Sequence, residues 1–132
     1  MITHLKIERF KSIRQLELPC RRVNVFIGDP NTGKSNILEA LGFVSWCAGN
    51  GELSALVRVT STQYLFYDGL TDEPVRIAFQ GEPEGDLSLK LSDQAFEVLR
   101  QTSRTQVTRI GWLPYLGPGQ QPRVEEWRPI KV

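Results

Sequence analysis

Residues 28–35 read Gly-Asp-Pro-Asn-Thr-Gly-Lys-Ser, which matches the pattern G-x-x-x-x-G-K-S in full. An apolar run over residues 23–27 precedes this stretch, and a helical pattern begins at Ser35. The motif requires this context, because the amides of the loop and the positive end of the following helix must converge on one anion. The sequence therefore predicts a strand, a phosphate-binding loop and a helix in succession, and an α/β fold built around them.

Each residue type in this loop has its own expected role in binding a nucleotide. Backbone N–H groups can surround a phosphate where glycine lets the chain turn, a Lys can neutralise the outer phosphates, and a Ser hydroxyl can bind Mg²⁺. Lys34 and Ser35 are the candidates for these last two roles, and Ser35 is the predicted metal ligand. The loop residues predicted to bind the nucleotide cofactor are Gly28, Asn31, Thr32, Gly33, Lys34 and Ser35.

Composition and charge narrow the class of protein without deciding it. The chain has 132 residues, which fits one domain, and its 16 Lys and Arg nearly balance 15 Asp and Glu. A net charge of +1 gives no global argument for binding nucleic acid or an anionic membrane. Two cysteines without metal-ligand spacing, and no apolar run of membrane-spanning length, predict a reduced cytoplasmic protein.

The first part of the chain shows a hairpin, a buried strand and a helix. Alternating apolar residues predict two short strands joined by a tight turn at Lys11-Ser12, and the apolar run at 23–27 predicts a strand in the middle of a parallel sheet. The helix is predicted from Ser35 to about Cys47, with Gly42 allowing a close approach to the sheet. Residues 1–52 are thus interpreted as the nucleotide-binding core.

The second part of the chain changes to short strands separated by frequent turns. Strands are predicted at 64–67, 75–79 and 87–91, which indicates an antiparallel meander. Residues 92–101 fit a helix as well as a strand, and the pattern leaves the two open. Residues 53–132 are interpreted as an antiparallel β-rich subdomain of the same, single domain.

Three stretches of this sequence resemble those of a known group. They are residues 7–18, which include Phe10-Lys11-Ser12-Ile13, residues 23–28, and residues 33–41, Gly-Lys-Ser-Asn-Ile-Leu-Glu-Ala-Leu. They are similar to the N-terminal lobe of ABC-type ATPase heads in the SMC, RecF and Rad50 superfamily, and more closely to AAA-type ATPases related to the overcoming-lysogenisation nucleases. The resemblance is specific over residues 3–47 and weaker over residues 53–91.

The resemblance implies an ATP-binding lobe that uses ATP and Mg²⁺. It implies that Asn36 lies next to the α-phosphate and that Lys11 and Ser12 lie near the base or the ribose. It further implies a second head, or the remainder of the ATPase domain, as a partner, and DNA or a nuclease as a possible one. No membrane partner is expected, because the sequence has no apolar run of membrane-spanning length.

The phosphate loop also supports a second interpretation. Pro30 stands where this family usually has Asn, and Asn31 where it usually has Gly, so that the loop resembles that of translation-factor-like GTPases as well. Such a GTPase needs an Asp-x-x-Gly and an Asn-Lys-x-Asp, and the sequence contains neither. The GTPase is retained as the alternative, together with a non-hydrolysing module whose interactions depend on nucleotide.

The residues for hydrolysis are incomplete in this sequence. An ABC-type head uses an apolar strand that ends in Asp-Glu and a signature loop resembling Leu-Ser-Gly-Gly, presented by a second head. The run from Tyr64 to Asp68 has the outline of such a strand, but Gly69 stands in place of the Glu, and no signature sequence occurs. We therefore expect an incomplete head that binds Mg·ATP and hydrolyses it only when completed, with its catalytic residues unassigned.

Overall fold

The computed structural model describes most of the chain outside the phosphate loop. The described residues are 2–19, 34–49, 52–57, 61–81, 84–92, 95–101, 106–114 and 122–127. The strand predicted at 23–27 and loop residues 28–33 lie outside them. For Lys34 and Ser35, the structure describes the backbone only.

One antiparallel sheet organises the described residues. Its six strands lie in the order β2-β1-β3-β4-β5-β6, and every neighbouring pair is antiparallel. The strands are β1 (Ile2–Phe10), β2 (Ile13–Pro19), β3 (Val75–Gly81), β4 (Gly85–Ser92), β5 (Ala95–Gln101) and β6 (Val107–Pro114). The sheet confirms the predicted hairpin and the strands near 75–79 and 87–91, and it shows that residues 95–101 form a strand. The parallel strand at the centre of the predicted α/β arrangement is not among the described strands.

Two α-helices and three short 3₁₀ turns complete the described structure. Helix α1 (Lys34–Cys47) confirms the predicted helix, and α2 (Leu53–Leu56) is a single turn. The 3₁₀ turns span Thr62–Leu65, Tyr67–Gly69 and Val124–Glu126.

The strand predicted at 64–67 is wrong. Leu65 and Phe66 are both buried, although they are adjacent in sequence, and alternate residues of a strand point to opposite faces. Asp68 and Gly69 then have φ angles of 51° and 72°, in the left-handed region, so the chain turns sharply there. Two consecutive 3₁₀ turns allow adjacent apolar side chains to face the same core, which an extended strand does not.

The sheet has one apolar face and one charged face. On β1, Leu5 and Ile7 are buried, while Lys6 and Glu8 point the other way and form an ion pair with an Nζ–Oε1 distance of 3.2 Å. Helix α1 covers the apolar face and contributes Phe43 and Trp46 to the core. An antiparallel sheet covered on one face gives the alternation of apolar and polar residues that the sequence shows.

Residues 122–127 pack on this same core. The Trp127 indole lies edge-on to Trp46, with ring centroids 5.6 Å apart, and its Nε1 donates a hydrogen bond of 2.9 Å to the buried Thr62 hydroxyl. Gly111 on β6 leaves room for the ring, since a Cβ there would lie 3.1 Å from it. The hydrogen bond satisfies two buried polar groups at once, as the interior requires.

Gly42 provides a close approach, but to α2 instead of the sheet. A Cβ at this position would lie 2.9 Å from the backbone oxygen of Leu56. The contact partner is backbone, which cannot rotate away as a side chain can. The prediction that Gly42 approaches the sheet is therefore corrected: its missing side chain brings α1 and α2 together.

We predict that Gly42→Ala destabilises the protein. Alanine would gain about 1 kcal/mol in helix propensity, but the clash with Leu56 costs about 1–3 kcal/mol, so the free energy of unfolding should fall by about 1 kcal/mol. Urea unfolding followed by tryptophan fluorescence measures the difference. Ser45→Ala, one turn further along α1, is the control and should be neutral or slightly stabilising; a stabilised Gly42→Ala would contradict the close contact.

Candidate nucleotide-binding site

Helix α1 begins at Lys34, so the last two residues of the motif belong to its first turn. The first turn contains no acidic residue. The positive end of a 14-residue helix dipole is thus left uncompensated by its own side chains at the point where the motif predicts a phosphate. Of the predicted loop residues, Gly28, Asn31, Thr32 and Gly33 lie outside the described part of the chain.

An open cleft of about 320 Å³ lies beside this helix end. It brings together Lys11, Ser12 and Asn36, the residues that the family resemblance placed near the nucleotide. Asn36 Nδ2 donates a hydrogen bond of 2.5 Å to Ser12 Oγ, so the tip of the β1–β2 hairpin contacts the first turn of α1. The remaining lining residues are Tyr64, Phe66, Asp68 and Gly69.

Backbone hydrogen bonds fix the tip of the hairpin against the opposite wall of the cleft. Lys11 N donates to the Leu65 oxygen at 3.1 Å, and Asp68 N donates to the Lys11 oxygen at 3.1 Å. Lys11 has a φ of 54°, in the left-handed region that costs a non-glycine residue energy. A strained residue whose N–H and C=O are both bonded is held in place by the surrounding structure, an arrangement often found at ligand sites.

A buried ion pair joins the same residue to α1. Lys11 Nζ lies 2.7 Å from Glu39 Oε2, and the two side chains are 15% and 7% exposed. Lys11 therefore contacts both walls of the cleft, with its backbone on the 65–68 segment and its ammonium on the helix. This arrangement holds the Lys11 side chain, paired with a carboxylate, beside a cleft next to a predicted phosphate site.

Sequence reasoning did not identify Tyr64 and Phe66 as cleft residues, because it assigned them to a strand. Tyr64 is 53% exposed, and an exposed aromatic ring offers a face on which a nucleobase can stack. Asp68, which ends the run that has the outline of a hydrolytic strand, lies in the turn at the cleft, where its carboxylate can accept hydrogen bonds. Asp68-Gly69 is a turn sequence, but a turn after residue 67 also fits the end of a strand, so the sequence carried no local signal against the strand at 64–67.

The Asp-Glu pair of this sequence does not match the strand-ending pair of an ABC-type head. Asp72-Glu73 is the one Asp-Glu pair of the sequence, and it precedes β3 instead of following a strand. Both carboxylates contact Arg9, at 3.6 Å and 3.4 Å, and both are exposed. Within the described residues, no group of three or more His, Cys, Asp or Glu is arranged to hold a metal ion.

A second cavity, of about 240 Å³, lies between the end of α1 and the apolar face of the sheet. Cys47 lines it as a free thiol. Burial raises the pKa of Cys47 to about 12, and the positive charge of Arg100 acts in the opposite direction. The thiol is therefore protonated at neutral pH, which makes it a poor nucleophile.

A family model and the named relatives define the class of this chain, the ATP-binding portion of an ATPase. The model of the AAA ATPase domain family matches residues 1–112, and the chain belongs to that family. It is an SMC/RecF-like ATPase N-terminal lobe, as the sequence resemblance predicted.

Relatives of known name support this placement. The DNA replication and repair protein RecF of Leptospira interrogans is 31% identical over 108 residues, which are 76% of this chain and 29% of that protein. The mouse structural maintenance of chromosomes protein 1B is 37% identical over 73 residues, 54% of this chain and 5% of that protein. The chain thus spans less than a third of these relatives.

A third relative also matches most of this chain. An uncharacterised protein of Methanocaldococcus jannaschii is 32% identical over 108 residues, 73% of this chain and 49% of that protein. No solved structure matches the chain.

In the part of the chain that the structure describes, no helix is long and apolar enough to cross a membrane.

Proposed function

We propose that the chain binds Mg·ATP through residues 28–35 and the adjoining cleft, as the nucleotide-binding portion of an SMC/RecF-like ATPase. The observation that carries the proposal is the juxtaposition of a complete G-x-x-x-x-G-K-S motif, the start of α1, and a cleft lined by Lys11, Ser12 and Asn36. The membership of the chain in a family of ATPase domains supports ATP as the ligand.

Each part of the nucleotide has a proposed partner. Lys34 neutralises charge on the β- and γ-phosphates, Ser35 binds Mg²⁺, and the amides of residues 31–35 surround the phosphates. Asn36 lies by the α-phosphate, and the cleft receives the base and the ribose. Because the sequence lacks the guanine-reading Asn-Lys-x-Asp, ATP and GTP should bind within about an order of magnitude of each other, a difference near 1.4 kcal/mol.

Binding and hydrolysis are separable in this chain. The 132 residues contain a complete phosphate loop, but they contain neither an apolar strand that ends in Asp-Glu nor a signature loop. Phosphoryl transfer needs a group that positions the attacking water and charges that stabilise the transition state. We therefore place hydrolysis in the completed head.

The first test measures binding and turnover separately on the 132-residue chain. Calorimetry should show saturable binding of Mg·ATP, and this binding should weaken when EDTA removes Mg²⁺. Phosphate release should not exceed that of the buffer blank. Robust steady-state hydrolysis would contradict the proposal that this chain binds ATP without hydrolysing it, and it would give Asp68 a catalytic role. Nucleotide-dependent association without turnover would instead favour the non-hydrolysing module.

Lys34→Ala tests the loop itself. The substitution removes the charge assigned to the outer phosphates, so affinity for Mg·ATP should fall by about tenfold or more, since a charge-assisted contact contributes roughly 1.5–3 kcal/mol. The melting temperature of the nucleotide-free protein should change little. Lys90→Ala, on the charged face of the sheet, is the matched control, and unaltered affinity in Lys34→Ala would place the site elsewhere.

Helix α1 also presents an apolar surface, on which we propose that the remainder of the ATPase domain or a second head packs. Leu38 is 56% exposed, and Ile37, Leu41 and Val44 on the same helix pack against the core but are only partly buried. DNA or a nuclease as a further partner rests on the family resemblance alone.

If this surface is a contact site, the 132-residue chain should self-associate through it. Leu38→Lys should then shift the sedimentation profile toward the monomer by removing apolar area from the contact. Leu70→Lys, at another exposed leucine, is the control and should leave the profile unchanged. A wild-type chain that stays monomeric at all concentrations would show that the surface is not a contact site for a second copy.

A further inference from the structure

The Lys11–Glu39 ion pair is unusual in its surroundings. Helix α1 is apolar over most of its circumference, and Glu39 is one of two buried polar residues in the described core. Burying two charges costs solvation that their attraction need not repay, and an apolar pair of similar volume is often equally stable. Stability alone therefore does not account for a carboxylate at this position.

The location of Glu39 on the helix relates it to the nucleotide site. Asn36 and Glu39 are three residues apart on α1, so they lie on the same face. Asn36 holds Ser12 at 2.5 Å, and Glu39 holds Lys11 at 2.7 Å. The face of the helix that follows the phosphate loop thus fastens both residues of the hairpin turn.

Geometry also limits where the Lys11 ammonium can point. Its backbone is fixed by hydrogen bonds to the Leu65 oxygen and from the Asp68 amide, so only the side chain has freedom. A Lys side chain has four rotatable bonds and three N–H donors. The contact with Glu39 uses one donor and selects one direction. Among the described residues Glu39 is the side-chain partner of the ammonium, so a ligand in the cleft that Lys11 lines could accept from the other donors.

From these contacts we propose that Glu39 is a positioning residue, which does not touch the nucleotide but holds the Lys11 ammonium at the nucleotide-binding cleft. The proposal rests on the proposed function, because it assigns the cleft to the nucleotide. It makes the affinity for Mg·ATP depend on a carboxylate whose own charge would repel phosphate. Removing the charge of Glu39 should therefore weaken Mg·ATP binding if Glu39 positions Lys11, and should strengthen it if Glu39 only repels phosphate.

A double-mutant cycle tests the proposal. Lys11→Met keeps the aliphatic stem and removes the charge, and Glu39→Gln keeps the shape of the side chain and removes the charge. Each single substitution should weaken Mg·ATP binding by about tenfold or more, the range of one hydrogen bond to a charged group, and the double variant should bind no more weakly than Lys11→Met. The matched control is Arg76→Met with Asp86→Asn, an ion pair of 2.6 Å on the charged face of the sheet, which should leave affinity unchanged.

The outcomes separate a positioning role from the alternatives. Tighter binding by Glu39→Gln would overturn the proposal, because a carboxylate that only repels phosphate acts in that way. Additive losses in the double variant would overturn it too, since the residues would then act independently. If Glu39→Gln does not fold, Glu39→Asp retracts the carboxylate by one methylene and should weaken binding only when Lys11 is present. A wild-type chain that binds no Mg·ATP would refute the proposed function itself.

Discussion

The candidate site depends on the fixed position of one residue, Lys11, at the tip of the β1–β2 hairpin. Its N–H and C=O bond to the 65–68 segment, and its side chain pairs with Glu39 on α1. Apolar packing between the hairpin, the helix and the 3₁₀ turns sets distance but not orientation, and the other directional contacts at this tip, Asn36 with Ser12 and the Phe10–Phe66 bridge, lie directly beside Lys11. Directional contacts at one residue therefore fix how the walls of the cleft face each other.

The backbone strain at the same tip follows from this role. Arg9 and Lys11 both have positive φ angles, which glycine would adopt more easily. Glycine at position 11 would remove the ammonium from the cleft, so the site requires a side chain where the backbone disfavours one. Phe10, between these residues, is completely buried and pairs with Phe66, which stabilises the turn through core packing.

The sequence predicted the elements whose signals are local. The G-x-x-x-x-G-K-S motif and the apolar pattern predicted α1 almost to the residue, and strict alternation predicted the hairpin and the strands near 75–79 and 87–91. The strand predicted at 64–67 was wrong because four apolar residues in a row do not reveal which of them share a face. The two 3₁₀ turns there arise from long-range contacts, such as the Phe10–Phe66 bridge, that no local pattern contains.

The same limit applies to the site. The family resemblance predicted Lys11, Ser12 and Asn36 near the nucleotide, and these residues line one cleft. Glu39 was hidden in a pattern in which a single Glu among apolar residues indicates only a solvent-facing helix position. Its burial is accompanied by a contact with Lys11, which comes from a hairpin turn 28 residues earlier in the chain. The burial of this carboxylate against a lysine thus depends on tertiary contacts that no local pattern contains. Through this contact α1 fixes a residue that lines the cleft, in addition to carrying the end of the phosphate motif in its first turn.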